Sequence, residues 1–264
     1  MQLNPALIRL DCAALHLARD AWGDLDLLGN LSILDRLAEE VAAERAGISA
    51  PERYRALREV LVERREYRGD RELYYDPDNC YLNRVLRRKI GIPISLSIVW
   101  MEVGRRLKWP ISGVSFPGHF LVRIDDPERF LIVDPFNSGQ TLAADDCRKI
   151  VEEYFKGRIP YTPQFLEPCA TVEILSRLLA NLRSIYAREG DVGMLRSTLE
   201  RQMALEPNHA GHVRELARLL AQSGARRAAV AQLEAFLADR SAETGADGVL
   251  RELRGARAAL AALN

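Results

Sequence analysis

The residues best suited to chemistry are His119 and Asp134, in the segments FPGHFLVRI and FLIVDPF. A histidine whose ring is oriented by a carboxylate is the general base that activates a cysteine or serine nucleophile. Both segments are rich in Val, Ile and Phe, and Asp125-Asp126-Pro127 separates them, which predicts a β-hairpin. Because the strands of a hairpin run antiparallel, the start of one lies beside the end of the next. We therefore expect a contact between His119 and Asp134.

Each residue of this pair also has a purely structural interpretation. His119 follows Pro117-Gly118 and precedes an apolar run, so it is compatible with a hydrogen-bonded histidine at the start of a strand. Asp134 precedes a proline, where an aspartate is typical of a turn that it caps through its side chain. The sequence leaves both interpretations open, although the placement of both residues in one hairpin favours a shared site.

A thiol enzyme with this order of residues carries its cysteine at the start of the helix before the hairpin. Here that helix is predicted in GIPISLSIVWMEVGRRL, and the cysteine position falls on Pro93. Ser95 is the nearest hydroxyl, but Ser95 and Ser97 also fit the first turn of a helix, where they satisfy unpaired N–H groups. Cys80, in the turn before the preceding helix, is a further candidate nucleophile. The sequence thus supplies a base and its orienting carboxylate without a matching cysteine.

The elements that position these residues fall into two predicted domains. Residues 1–165 have the pattern of an α+β domain, with helices over 1–75 and a core over 76–157 that contains a buried helix and a small antiparallel sheet. Residues 170–264 are predicted to be all helical. The proline-rich segment 159–168, IPYTPQFLEP, is predicted to be a linker.

Helix boundaries are predicted from residues that favour capping positions. Ser32 is expected to begin the second N-terminal helix, and Ser49 the third. A short helix is predicted from Tyr81 to Lys89, with Asp78 or Asn79 expected to cap it and Gly91 to stand at its end.

The second domain carries a repeated helical pattern. TVEILSRLLANLRSIYAREGD pairs with VGMLRSTLERQMALEPNHA, and AGHVRELARLLAQSGA pairs with RRAAVAQLEAFLADR. Gly190 and Gly224 lie about 34 residues apart, a spacing that resembles tetratricopeptide repeats. VLRELRGARAALAAL would then be a capping helix. Such arrays present a concave face to peptides or helices, so a protein or peptide partner is predicted for this domain.

Composition argues against several classes of function. The 264 residues contain 37 Lys plus Arg and 37 Asp plus Glu, and this balance gives no indication of nucleic acid or an anionic membrane as partner. The start, MQLNPALIRLDCAALHLARD, has charges within its apolar region and does not resemble a signal peptide, and no long apolar run predicts a membrane span. The four scattered cysteines fit a reducing compartment. We therefore expect a cytoplasmic protein.

No metal and no cofactor is predicted. Neither of the glycine-rich phosphate-binding patterns occurs in the chain. His209 and His212 share a helical i, i+3 spacing, but no neighbouring cysteine or acidic residue is expected to complete a metal site with them.

The segments YYDPDNCYLNRVLRRKIGIPISLSIVWMEVGRRL, FPGHFLVRI and VDPFNSGQTL resemble the SirB-type family of bacterial proteins. That family combines a transglutaminase-like (papain-like) domain with C-terminal tetratricopeptide repeats, and the resemblance covers about residues 5–240. The resemblance implies an α+β core in which a central helix packs on a small antiparallel sheet. It also implies that His119 and Asp134 match the base and the orienting carboxylate of the transglutaminase-like site. Pro93 and Ser95 stand where that site has its cysteine, so the chain departs from the pattern at the nucleophile.

Three functions are compatible with these observations. We favour a non-catalytic transglutaminase-like protein that binds a protein or peptide in regulation, through its cleft and its helical repeats. The alternative is a hydrolase or acyltransferase that uses Ser95 or Cys80 with His119 and Asp134. Loss of the thiolate argues against this enzyme, because a serine hydroxyl is almost un-ionised at neutral pH and needs an accurately placed base.

The third possibility is a regulatory protein whose cleft holds a small ligand. Pro93, Gly118, Phe120 and Asn137 are the residues predicted to contact such a ligand. The sequence predicts neither the identity of a ligand or partner nor the oligomeric state.

Overall fold

The computed structural model describes residues 8–240 and 244–262. The described helices are α1 Leu10–Leu17, α2 Arg19–Trp22, α3 Leu27–Ala43, α4 Ala50–Arg58, α5 Leu82–Arg88, α6 Pro93–Arg106, α7 Ala144–Phe155, α8 Thr171–Glu189, α9 Val192–Leu205, α10 Ala210–Gln222, α11 Arg226–Arg240 and α12 Ala246–Ala261. The described strands are β1 Arg68–Gly69, β2 Ile90–Gly91, β3 Ile111–Val114, β4 Leu121–Asp125, β5 Phe130–Asp134 and β6 Gln140–Leu142. Residues 1–7, part of the segment in which no signal peptide is predicted, lie outside the described residues.

The chain forms two compact units, one up to Leu178 and one from Leu179, with the boundary inside α8. The first unit combines helices with all of the described strands, and the second is helical throughout its described residues. The predicted class, an α+β region followed by an all-helical region, is confirmed.

The first unit contains a four-stranded antiparallel sheet of order β3-β4-β5-β6. In its central pair Val122 lies opposite Val133 and Asp125 opposite Phe130, so β4 and β5 form the predicted hairpin. This register brings the end of β5 beside the start of β4. The residues that precede β4 therefore meet the last residue of β5, Asp134.

The central helix of the first unit is α6, in which every residue from Pro93 to Gly104 is buried. A helix that is surrounded on all sides can be apolar around its whole circumference, which explains the sequence ISLSIVWMEVG. Gly104 allows a close approach to the sheet, since a Cβ atom there would lie 2.8 Å from Cγ2 of Ile111 in β3.

The N-terminal helices are present, but the predicted Ser32 cap was wrong. Asp26 caps α3 by accepting a hydrogen bond from the backbone N–H of Gly29 at 2.8 Å. Ser32 lies inside the helix, where its hydroxyl donates to the backbone oxygen of Leu28. The carboxylate of Asp26 satisfies a free N–H and interacts favourably with the positive end of the helix, so the helix begins earlier than predicted.

The predicted start of α4 at Ser49 is confirmed by a capping box, in which Glu52 accepts a hydrogen bond from the backbone N–H of Ser49. The helix does not end at Arg58 but continues as a π-helix over Glu59–Arg64. The sequence analysis did not predict this change of helix type.

The predicted cap of α5 was also wrong. Asp76 accepts a hydrogen bond from the N–H of Asp78 at 2.9 Å and so begins a 3-10 turn over Pro77–Asn79. Asp78 and Asn79 therefore lie within this turn, and Tyr81 stands at the start of α5 without a side-chain cap. An aspartate followed by proline favours such a turn, which displaces the helix start to the residues after it.

Gly91 does not end α5. The helix ends at Lys89, which adopts the left-handed conformation, and Gly91 lies in the short strand β2. This strand pairs in parallel with β1, so that Gly91 is opposite Gly69. A Cβ atom on Gly91 would lie 2.6 Å from the hydroxyl of Ser95, so the glycine gives the first turn of α6 room to approach.

The proline-rich segment predicted as a linker packs against the first unit. It contains a 3-10 turn over Pro163–Leu166, and Leu166 is buried with Phe116 and Val151. Arg123 of β4 donates a hydrogen bond to the backbone oxygen of Leu166 at 3.2 Å. The linker prediction was wrong because the apolar residues between the prolines are buried in this cluster.

The second unit contains the two predicted helix pairs and the additional helix α12. Gly190 follows α8 with φ 71°, and Gly224 follows α10 with φ 86°, left-handed conformations that glycine adopts without steric penalty. The core between α10, α11 and α12 is formed by Val213, Leu216, Leu233, Phe236 and Val249. No helix in the described part of the chain has the length and apolar character that crossing a bilayer requires.

Candidate functional site

The predicted contact between His119 and Asp134 is present, with Nε2 of the ring 2.8 Å from Oδ2 of the carboxylate. Asp134 is the last residue of β5, and His119 lies in the turn that leads into β4. The N–H of His119 donates to the backbone oxygen of Phe116 at 3.1 Å, and Gly118 adopts φ 69°. Sheet register and a glycine-containing turn therefore position the ring beside the carboxylate.

Both oxygen atoms of Asp134 accept hydrogen bonds. Oδ1 accepts from the backbone N–H groups of Phe136 and Asn137 at 3.1 and 3.2 Å, and Oδ2 accepts from the side-chain amide of Asn137 at 2.6 Å. Burial alone raises the pKa of Asp134, but the hydrogen bonds from His119 and Asn137 outweigh it, and the pKa lies below its ordinary value. Asp134 is therefore ionised at neutral pH.

The ionised carboxylate determines which ring nitrogen of His119 carries a proton. Because Asp134 can only accept, Nε2 donates to it, and Nδ1 of the neutral ring is an acceptor. No residue in the described ranges forms a hydrogen bond with Nδ1. Since the side chain is 16% exposed, the ring offers one uncommitted acceptor at a partly exposed position.

Ser95 is not joined to this pair. Its hydroxyl donates to the backbone oxygen of Asn79 at 2.6 Å and accepts from the N–H of Ile92 at 3.1 Å. The side chain is fully buried, and no hydrogen bond links it to His119 in the described part of the chain. The hydroxyl connects the turn at Asn79 to the first turn of α6.

Cys80 is 1% exposed. Burial, assisted by the nearby carboxylate of Asp76, raises the pKa of the Cys80 thiol far above its ordinary range. Burial likewise raises the pKa of Cys147 and of Cys169 to about 11, and it raises the pKa of Cys12. Because the thiolate is the reactive form, none of these thiols has the character of an activated nucleophile.

The residues predicted to bind a ligand separate into two pairs. Pro93 and Phe120 are buried in the core of the first unit. Gly118 is exposed, and Asn137 is half-buried with its amide bound to Asp134. The second pair lies at the surface next to the His119–Asp134 pair, whereas a ligand that contacts Pro93 or Phe120 would have to enter the core.

An aromatic surface beside His119 was not predicted. The ring of Phe136 is edge-on to His119 with 6.2 Å between centroids, and edge-on to Tyr74 at 5.9 Å. Tyr74 is in turn edge-on to Tyr75 at 5.3 Å. Tyr75 and Leu73 are more than half exposed. We call Leu73, Tyr74, Tyr75 and Phe136 the aromatic surface; its sequence signal was the run LYY before a turn.

Arg177 of α8 is a second neighbour of the pair that sequence reasoning missed. Its guanidinium donates to the backbone oxygen of His119 at 2.6 Å and to the hydroxyl of Ser115 at 2.8 Å. It lies 5.7 Å from the ring centroid of Phe120, and burial lowers the pKa of Arg177. Arg177 therefore fixes the turn that carries His119 from a helix distant in sequence.

The histidines at the start of α10 form a separate cluster in the second unit. Nε2 of His212 lies 2.8 Å from Oε2 of Glu206, an acidic partner that the sequence analysis did not identify. The rings of His209 and His212 stack at 3.9 Å, and burial lowers the pKa of His212. Within the described residues, no group of three or more His, Cys, Asp and Glu side chains is arranged to hold a metal ion.

A central buried helix, an antiparallel sheet and a His–Asp pair at the strand ends are the features of a transglutaminase-like domain. The family model described as the transglutaminase-like superfamily matches residues 31–180, and the model for tetratricopeptide repeats matches residues 182–262. The predicted two-part organisation by family is therefore confirmed.

Bacterial relatives identify a family within the transglutaminase-like superfamily. A protein of Xylella fastidiosa (strain 9a5c) named UPF0162 protein is 37% identical over 85% of this chain and 81% of its own length. A UPF0162 protein of Pseudomonas aeruginosa is 33% identical over 72% of this chain and 68% of its own. The chain belongs to the transglutaminase-like superfamily and, within it, to the UPF0162 proteins, the SirB-type family that its sequence resembles.

A eukaryotic relative shares part of the chain. Mouse F-box only protein 21 is 30% identical over 164 residues, which are 58% of this chain and 25% of that protein. No solved structure matches the chain.

Proposed function

We propose that this protein is a non-catalytic transglutaminase-like protein that binds a protein or peptide in regulation, through the surface beside His119 and through its helical repeats. In the first unit the partner lies on the aromatic surface, and a donor of the partner reaches Nδ1 of His119. Partly exposed aromatic rings next to an unused hydrogen-bond acceptor suit a peptide that has apolar side chains and backbone N–H groups that donate.

The observation that carries the proposal is that, in the described part of the chain, neither candidate nucleophile, Ser95 or Cys80, forms a hydrogen bond with the base His119. His119 has an oriented ring with a free acceptor, whereas the Ser95 hydroxyl is committed to Asn79 and the Cys80 thiol is enclosed. An enzyme that used either residue would first have to break buried contacts, and for that reason we place the Ser95 and Cys80 enzyme second to the binding function.

We propose a cytoplasmic location as well. All four cysteines are free thiols, which fits a reducing compartment. The tetratricopeptide repeats support a protein partner, because repeats of this kind bind peptides and helices along one face. F-box only protein 21 contains a related segment that makes up a quarter of its length, so such a segment also occurs within a larger protein.

The catalytic half of the proposal is tested by chemical probes. The full chain and its His119→Ala variant are treated with an iodoacetamide-type thiol probe and a fluorophosphonate serine probe, and adducts are located by mass spectrometry. We expect Cys80 and Ser95 to be labelled no faster in the native protein than in the variant. Fast labelling of either residue that disappears in His119→Ala would establish an activated nucleophile and overturn the proposal.

The binding half is tested by selecting peptides from a displayed library on the full chain. Selected peptides are expected to lose affinity for His119→Ala and for Leu73→Ser, which removes an exposed apolar side chain of the aromatic surface. Ile48→Ser is the matched control, because Ile48 is also an exposed aliphatic residue but lies in the loop before α4. Peptides that bind all three variants equally would exclude the aromatic surface as their site.

A further inference from the structure

The second unit contains a groove between α10 and α12 with a volume of about 520 Å³. Its lining includes small residues from both helices, namely Ala217 and Ala221 of α10 and Gly255 and Ala256 of α12. Leu233 of α11, which is completely buried, lies at its base. A Cβ atom on Gly255 would meet no atom within 4 Å, so the groove is open above this residue.

The length of the groove suits a short peptide segment. Along α12 its lining extends from Gly248 to Ala259, which corresponds to about 16 Å at the rise of an α-helix. An extended chain rises about 3.3 Å per residue, so about five residues would cover this distance. The small residues would leave room for the backbone and the side chains of such a segment.

The rim of the groove is basic. Arg214 and Arg218 of α10 and Arg251 of α12 line it, against one acidic residue, Glu252. Arg251 is exposed and forms no ion pair with another residue of the described ranges. Nε of Arg214 is buried without a hydrogen bond, at 3.7 Å from Oε2 of Glu252. Two of the three arginines therefore retain donors that the described residues do not use.

The contacts of Glu252 show that the rim of the groove binds a carboxylate. Its two carboxylate oxygens bind Arg218 at 2.9 and 2.6 Å, the paired geometry that guanidinium forms with a carboxylate. This contact joins α12 to α10. A second carboxylate would find the exposed side chain of Arg251 beside it. It would also find the outer part of the Arg214 guanidinium, since that side chain is 37% exposed although its Nε is buried.

We infer that the groove binds an acidic peptide segment in extended conformation, whose carboxylates pair with Arg251 and Arg214 and whose backbone packs over Gly255. The inference rests on the proposed role of the repeats in protein binding and specifies the chemistry of the partner. The net positive rim favours this occupant over a basic or uncharged segment, because a buried or half-buried ion pair requires opposite charges.

The test uses the full chain and a fluorescein-labelled peptide of glutamate and alanine, with the same peptide carrying glutamine in place of glutamate as reference. Binding is followed by fluorescence anisotropy at low and at physiological salt. We expect the glutamate peptide to bind with an affinity that falls as salt rises, since the charges are partly exposed. Arg251→Glu is expected to weaken binding about tenfold.

Two further variants separate charge from shape. Glu252→Gln removes the internal carboxylate and frees Arg218, so it is expected to strengthen binding. Gly255→Leu fills the open space and is expected to abolish binding, although it replaces a helical glycine by a better helix former and should not unfold the helix. Arg227→Glu on α11 and Gly193→Leu on α9 are the matched controls, because neither residue lines the groove, and both should leave binding unchanged.

The inference is overturned by equal affinity for the two peptides, by no measurable binding at millimolar peptide, or by Gly255→Leu binding as well as the native protein. Helical content by circular dichroism confirms that each variant is folded. Leu73→Ser, which tests the first unit, should not alter binding of the glutamate peptide. A wrong proposal for the groove can therefore be distinguished from a wrong proposal for the surface beside His119.

Discussion

The His119–Asp134 pair has a structural function that does not depend on catalysis. Asp134 accepts hydrogen bonds from His119, Phe136 and Asn137, and these link the turn before β4 to the turn after β5. An ionised, buried carboxylate without these donors would be strongly destabilising. The pair therefore maintains the shape of the surface on which the proposed partner binds.

Alanine substitutions at Ser95 and Ser97 should differ in their effect on stability, because only the Ser95 hydroxyl forms hydrogen bonds. Ser95→Ala removes a hydroxyl that binds both the oxygen of Asn79 and the N–H of Ile92. These two backbone groups keep a hydrogen bond to each other at 3.3 Å, so the free energy of unfolding should fall by about 1 kcal/mol. The hydroxyl of Ser97 is buried without a hydrogen bond, so Ser97→Ala, which removes an unsatisfied buried polar group, should leave stability unchanged or increase it.

The measurement is urea unfolding followed by tryptophan fluorescence. All three tryptophans lie before residue 110, so the signal reports on the first unit. Equal effects of the two substitutions would show that the Asn79 contact contributes nothing to stability. A loss of probe labelling in Ser95→Ala would instead identify Ser95 as reactive.

The sequence could predict the contact between His119 and Asp134 because both residues belong to one hairpin, where register follows from local pattern. It could not predict Arg177, since that side chain reaches the backbone of His119 from α8. Tyr74 and Phe136 were missed for the same reason: their rings meet across a turn and a strand end. Contacts between distant segments depend on packing, which hydrophobic periodicity does not specify.

At the scale of elements, the presence of the helices and of the β4–β5 hairpin followed from the sequence pattern, whereas helix ends depended on single side chains. Asp26 and Ser32 are both residues that favour capping positions, and the sequence gives little basis for choosing between them. The structure distinguishes them, because Asp26 accepts from the N–H of Gly29 while Ser32 donates to Leu28 inside the helix. The same ambiguity made the predicted cap of α5 wrong, whereas the predicted bounds of this helix, Tyr81 to Lys89, agree with Leu82–Arg88 to one residue at each end.

The cap assignment predicts different effects for two alanine substitutions. Asp26→Ala removes the acceptor for a free N–H at the start of α3 and should lower the free energy of unfolding by about 1 kcal/mol. Ser32→Ala lies inside the helix, where alanine is the better helix former, and should leave stability unchanged or slightly increased. Urea unfolding with tryptophan fluorescence measures both. A larger effect at Ser32 would mean that α3 begins where the sequence analysis placed it.

At the largest scale, each unit has its own apolar core, and in the first unit a buried ionic network joins its helices. Arg106 of α6 binds Asp11 of α1 at 2.9 Å, Asp35 of α3 at 2.7 Å and Glu102 of its own helix at 3.1 Å. Asp11 and Glu102 are almost completely buried. The free energy of the network therefore depends on the guanidinium that the two buried carboxylates share.

Of the predicted substitutions, replacing Arg106 should lower the free energy of unfolding of the first unit the most. Arg106→Met retains much of the side-chain volume but leaves two buried carboxylates with fewer donors, so the free energy of unfolding should fall by about 3–5 kcal/mol. The matched control is Arg129→Met, which removes an exposed arginine whose nearest carboxylate, that of Asp126, is 3.9 Å away, and should change stability little. Tryptophan fluorescence in urea again reports on the first unit. If Arg106→Met were no more destabilising than Arg129→Met, burial of Asp11 and Glu102 would have to be compensated by Arg9 and Arg105, which also bind them.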